Sequence, residues 1–184
     1  MSIIKDINLK EEGHQRIAWV AKNMPVLNAV GDRFEREKPF AGMKIALSIH
    51  LEAKTAYLVK TLARGGAEMH VSGSNPLSTQ DCICAALADD GITVNAIHGS
   101  DPEQTVALWK ETLSCHPDLV IDDGSDLINL LLGESKAYAD RIIGGCEETT
   151  SGVQRLRGWE RTGRLAFPVM AINDAHCKSF FDNT

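Results

Sequence analysis

From Lys44 onward the chain alternates short apolar runs with longer stretches of helical periodicity, and few architectures accept that pattern. The runs fall at Lys44–Ile49, Glu68–Ser72, Ile92–Ile97, Asp118–Ile121, Arg141–Ile143 and Val169–Ile172. Between them, Glu52–Leu62 runs into Gly65-Gly66 and Thr79–Asp90 into Gly91, both good helix stops. Asp101-Pro102-Glu103-Gln104 supplies a cap, a first-turn proline and an N3 glutamine, opening a helix through Leu113. Strands spaced by helices of this length predict a parallel α/β sheet covered on both faces.

Residues 1–40 read as a helical segment ahead of that sheet. Asn8 with Glu11 has the spacing of a capping box, and Ile17, Val20 and Met24 recur at helical intervals. Pro25 suits the first turn of a second helix, with Val26, Leu27, Val30 and Phe34 on its apolar side. A chain of 184 residues has the length of one domain. Its 25 acidic and 19 basic side chains give a net charge of −6, and no Lys/Arg block interrupts it, which argues against a nucleic-acid partner. No apolar stretch approaches the roughly 20 residues that span a bilayer, so no membrane partner is expected. Met1–Lys10 lacks the apolar region of a signal peptide and predicts a cytoplasmic chain. The five cysteines are odd in number and scattered, as befits thiols in a reducing compartment.

In an open parallel sheet, ligands bind at the carboxyl ends of the strands. The residues that follow each predicted strand are His50, Ser72–Gln80, His98, Asp122-Asp123-Gly124, Glu147–Ser151 and Asn173-Asp174. Ionisable and polar side chains thus gather where a site belongs. There is no G-x-G-x-x-G and no G-x-x-x-x-G-K-[ST], which removes the two commonest phosphate cradles. Cys82-x-Cys84, Cys115-His116 and His176-Cys177 match no structural zinc spacing, so buried thiols are expected there and no metal.

The acidic clusters carry two readings. Asp122, Asp123, Asp126, Glu147 and Glu148 can cap helices and solvate loops, or serve as acids, bases and acceptors for vicinal hydroxyls. Lys178 and Asp182, at i and i+4, share a helix face and can pair. His50 is a proton shuttle or a satisfied core histidine.

Four motifs in order decide between these readings. Ser78-Thr79-Gln80-Asp81, Asp122-Asp123-Gly124-x-Asp126-Leu127-x-Asn129, Glu147-Glu148-Thr149-Thr150-x-Gly152-Val153 and Asn173-Asp174-x-x-x-Lys178-x-x-Phe181-Asp182-Asn183 resemble adenosylhomocysteinase, the S-adenosyl-L-homocysteine hydrolase family. The resemblance spans the chain but under half of a full family member. It implies a three-layer, Rossmann-like sheet and reversible hydrolysis of S-adenosylhomocysteine to adenosine and homocysteine. It also implies bound NAD as the oxidant of the ribose 3′-hydroxyl, and tetrameric assembly of the full-length protein. By resemblance, Glu148 and Asp182 grip the ribose hydroxyls, and Lys178 handles the 3′-hydroxyl proton. Asp123 and His50 are acid/base groups near C4′ and C5′. Thr149, Thr150, Ser151 and Asn183 resemble contacts to the nicotinamide half of NAD.

Two departures accompany the resemblance. The chain stops just after Asn183, where the family continues into a glycine-rich NAD-binding domain. Residues 1–184 then correspond to the substrate-binding domain, expected to fold by itself, to expose an apolar face and not to turn over alone. A free-standing nucleoside-binding or regulatory module stays open as the alternative. The second departure is His50-Leu51-Glu52-Ala53-Lys54-Thr55, where many members read His-x-Thr-x-Glu-Thr. This resembles archaeal or deep-branching bacterial members. By resemblance, Glu52, Lys54 and Thr55 lie beside the purine. A carboxylate accepts from the adenine amino group, whereas a lysine donates to the hypoxanthine carbonyl. Adenosine and inosine specificity both remain open.

Overall fold

The computed structural model describes residues 1–181. A short 3₁₀ turn at Ile7–Leu9 leads into α1 (Lys10–Ala21) and α2 (Pro25–Glu37). The alternating part follows as β1 (Lys44–Ile49), α3 (Ala53–Arg64), β2 (Glu68–Gly73), α4 (Asp81–Asp89), β3 (Thr93–Val94) and α5 (Pro102–Leu113). It continues through β4 (Leu119–Asp122), α6 (Asp126–Leu131), β5 (Gly144–Glu147), α7 (Thr150–Arg161), β6 (Val169–Ala171) and α8 (His176–Phe181). The six strands form one parallel sheet in the order β3-β2-β1-β4-β5-β6, the doubly wound, Rossmann-like arrangement.

Alternation along β1 explains the layering. Ile45, Leu47 and Ile49 point to one face and pack with Ile17, Val59, Leu62, Ile83 and Leu87 from α1, α3 and α4. Ala46 points to the other face, where Val120, Leu113, Leu127, Ile128, Leu131 and Leu156 form a second core under α5, α6 and α7. Beyond β1 the first face is less covered. Leu119, Ile121, Cys146 and Met170 line an apolar groove of about 580 Å³ with Phe40, Leu62 and Pro168, and Met170 is 65% exposed. No helix among the described residues is long and apolar enough to cross a membrane.

Three local expectations need correction. The Asn8–Glu11 capping box does not form; Asp6 instead accepts from the Asn8 backbone and side-chain nitrogens, and α1 begins at Lys10 without a side-chain cap. The third strand is confined to Thr93–Val94; Asn95 N still donates to Val71 O, and Asn95 also forms an isolated bridge with Ile3. The fifth strand is not Arg141–Ile143 but Gly144–Glu147. A Cβ on Gly145 would stand 2.9 Å from Val120 Cγ1, and one on Gly144 3.0 Å from the Pro168 carbonyl oxygen. Close strand approach selects glycine here, and glycine carries no apolar signal.

Candidate active site

The strand order reverses between β1 and β4, and the crevice outside their carboxyl ends is where such a sheet holds ligands. His50 leaves β1 and Asp123 leaves β4, and His50 Nε2 stands 3.4 Å from Asp123 Oδ2. The carboxylate is only 13% exposed, whereas the imidazole is 53% exposed. Ser74 donates to Asp123 Oδ2 at 2.9 Å, and Ser78 Oγ lies 2.6 Å from His50 Nδ1.

The paired acids divide by strand period. Asp122 and Glu147 are register partners on β4 and β5 and are wholly buried. Asp122 accepts from the backbone nitrogens of Asp123 and Ile128 at 3.0 and 2.9 Å. Glu147 accepts from Gly124 N and Thr149 N at 2.9 Å and from Ser125 Oγ at 2.8 Å. Asp123 and Glu148, one residue further on, face the crevice. Asp126 falls in the first turn of α6 and pairs with Arg155 at 2.8 Å, an exposed ion pair.

Burial pushes the Asp122 carboxyl up to about 8, against the backbone N–H of Ile128 and with help from the charge of Glu147. The folded state therefore holds an extra proton between the ordinary carboxyl range near pH 4 and about pH 8. Its contribution to stability is complete on the acid side and is lost as pH rises through that window. Thermal melts of Asp122→Asn between about pH 5 and 9 should fall less steeply with pH than those of the parent. Parallel slopes would show that Asp122 ionises normally.

Glu148 meets Lys178, whose Nζ donates to Glu148 Oε1 at 3.2 Å from α8; the Lys178 side chain is 12% exposed. Asp182, the i+4 residue, lies outside the described residues, as does Asn183. Thr149 stands at the N-terminal boundary of α7 without a side-chain capping bond, and Thr150 Oγ1 donates to Asn173 Oδ1 at 3.2 Å. Thr150 and Ser151 are exposed at the opening of that helix. Glu52 caps α3, accepting from Thr55 N at 3.3 Å, and Lys54 is exposed in its first turn.

Glu52, Lys54, Thr55, His50 and Glu148 line one cleft of about 820 Å³. Its opposite wall is α2 and the turn before it, through Met24, Pro25, Val26, Leu27 and Val30. The sequence places Val26, Leu27 and Val30 on the apolar side of a helix without saying what that side meets. The signal available was an apolar helix face on a segment outside the sheet, and Val26 is in fact 77% exposed. Cys84 is buried with its thiol pushed up to about 12, and burial likewise raises Cys115 to about 11. Among the described residues, no three His, Cys, Asp or Glu side chains are placed to hold a metal ion.

The chain is thus a doubly wound α/β domain with a His–Asp contact, a Lys–Glu pair and an apolar wall gathered at its switch point, where such sheets hold their ligands. A family model described as S-adenosyl-L-homocysteine hydrolase matches residues 2–143 and 133–184. The chain belongs to that family. It is 50% identical over 180 residues to the S-inosyl-L-homocysteine hydrolase of Methanocaldococcus jannaschii, covering 98% of this chain and 43% of that protein. It is 48% identical, with the same coverage, to an adenosylhomocysteinase of Pyrococcus abyssi. An adenosylhomocysteinase of Aquifex aeolicus is 47% identical over 181 residues, with 98% and 43% coverage. The chain thus spans less than half the length of the curated relatives it matches.

Proposed function

We propose that these residues form the nucleoside-binding part of an S-adenosylhomocysteine- or S-inosylhomocysteine-type hydrolase. The observation that carries this reading is the gathering of His50, Asp123, Glu148 and Lys178 where β1 and β4 part. Glu148 accepts from the ribose hydroxyls, while Lys178, held by Glu148, gives or takes the 3′-hydroxyl proton. Asp123 and His50 serve the protons at C4′ and C5′. The apolar α2 wall packs against the base and excludes water.

The hydroxyls of Thr149, Thr150 and Ser151, at the start of α7 and directly after Glu148, fit the nicotinamide end of NAD. NAD, when bound, supplies the hydride acceptor for the ribose. The dinucleotide fingerprint is absent from these residues. The 184-residue chain alone should therefore release no homocysteine from S-adenosylhomocysteine, yet bind adenosine or inosine more tightly than the 3′-deoxy nucleosides. Equal binding of ribose and 3′-deoxyribose forms in a calorimeter would overturn the reading.

The α3 cap favours a second reading of the base. Glu52 is engaged by Thr55 N, whereas Lys54 makes no ion pair among the described residues. Lys54 is thereby the group left to meet the purine edge, and its ammonium suits the O6 of hypoxanthine rather than the N6 amino group. Relatives of both specificities match the chain. Lys54→Glu should shift the inosine-to-adenosine affinity ratio toward adenosine by about tenfold, since a site bonded to one edge leaves a polar group unpaired on the other. An unchanged ratio would remove Lys54 from base recognition.

A further inference from the structure

The loop between β2 and α4 reaches both members of the His50–Asp123 pair, through Ser78 Oγ at His50 Nδ1 and Ser74 Oγ at Asp123 Oδ2. The Asn75 carbonyl oxygen already receives Ser78 N at 3.2 Å, Thr79 N at 3.1 Å and Thr79 Oγ1 at 3.0 Å. A carbonyl offers two lone pairs. The Ser78 hydroxyl has one proton and two acceptors in reach, that crowded oxygen at 3.1 Å and His50 Nδ1 at 2.6 Å. It is best used as a donor to Nδ1. The ring proton of neutral His50 then sits on Nε2, facing the Asp123 carboxylate 3.4 Å away. A bare Nε2 there would set its lone pair against that carboxylate, so the second contact favours the same tautomer.

We infer that Ser78 and Ser74 are positioning residues that hold His50 as the Nε2–H tautomer beside the Asp123 carboxyl group. This rests on the reading of His50 and Asp123 as the proton-transfer groups and divides the work between them. Neutral His50 presents an N–H, so Asp123 is the member of the pair that accepts a substrate proton. Ser74, donating to Asp123 Oδ2 at 2.9 Å, fixes that oxygen. When the ring gains a second proton, at Nδ1, the Ser78 hydroxyl turns to accept it and donates to the Asn75 carbonyl. Neither ring state leaves Nδ1 without a partner.

The test reads the ring nitrogens directly and needs no nucleoside, so it stands or falls separately from substrate binding. The full chain, labelled with ¹⁵N-histidine, is studied at alkaline pH where histidine side chains are neutral, and His50 is assigned by the signal lost in His50→Gln. The parent should show a protonated, pyrrole-like Nε2 and an unprotonated, pyridine-like Nδ1. Ser78→Ala should move the tautomer ratio toward Nδ1–H by about fivefold, the worth of one lost hydrogen bond, and Ser78→Thr should restore it. A general structural role would not produce that selective change and rescue. An Nδ1–H tautomer in the parent overturns the inference. So does a Ser78→Ala ring spectrum that matches the parent while the backbone amide spectrum is unchanged.

Discussion

Glu147→Ala is expected to destabilise the fold by about 4 kcal/mol or more, enough to lower the thermal midpoint by about 10 °C or leave the chain insoluble. Glu147 is wholly buried and receives Gly124 N, Ser125 Oγ and Thr149 N. Truncation leaves the Gly124 and Thr149 N–H groups without a partner, at about 1–3 kcal/mol each, while Ser125 Oγ keeps only its 3.2 Å contact to the Gly152 carbonyl. The loss extends to backbone strain. Ser125 is a non-glycine residue at φ +61°, next to Gly124 at φ +104°, and its hydroxyl is tied to Glu147. Gly152→Ala probes the same contact from the other side, because its Cβ would lie 2.2 Å from Glu147 Cδ. Chemical denaturation that places both variants within about 1 kcal/mol of the parent would show that Glu147 is not the anchor of these loops.

Glu148→Gln should have the opposite profile, leaving stability near that of the parent while nucleoside affinity falls by about tenfold or more. Its side chain is 38% exposed, so the fold does not depend on desolvating it. The amide keeps the shape but loses the charge that holds Lys178 and accepts from hydroxyls. Lys178→Met should produce a loss of similar size, and the double variant should lose less than the sum, because the two side chains act through one contact. Calorimetric titration with adenosine and inosine measures all three. Full additivity would mean that the pair does not work as a unit.

These two glutamates are neighbours in sequence, and the contrast between them marks how far the residues alone could be read. Composition places Glu147 and Glu148 in one acidic cluster. Only the strand period and the packing of Gly152 against Glu147 separate an anchor from a site-facing group. Asp122 and Asp123 divide in the same way. The sheet itself was legible where apolar alternation is strong, as at Lys44–Ile49, whose predicted and observed bounds agree. It was illegible at Gly144–Glu147, where glycines and a buried carboxylate replace the apolar run. The α2 wall was hidden for a related reason. An apolar helix face reads the same whether it meets a core or a ligand cleft, and only its tertiary placement tells them apart.

A nucleoside seated in the cleft where β1 and β4 part would touch both the strand ends and the α2 wall. The most direct measurement is a heteronuclear NMR titration of the ¹⁵N-labelled chain with adenosine and with inosine. Saturable shifts are expected at His50, Glu52, Thr55, Asp123, Glu148 and Lys178, with smaller ones at Val26 and Leu27 on the opposite wall. Saturable shifts confined to another surface, or no shifts at millimolar nucleoside, would contradict it.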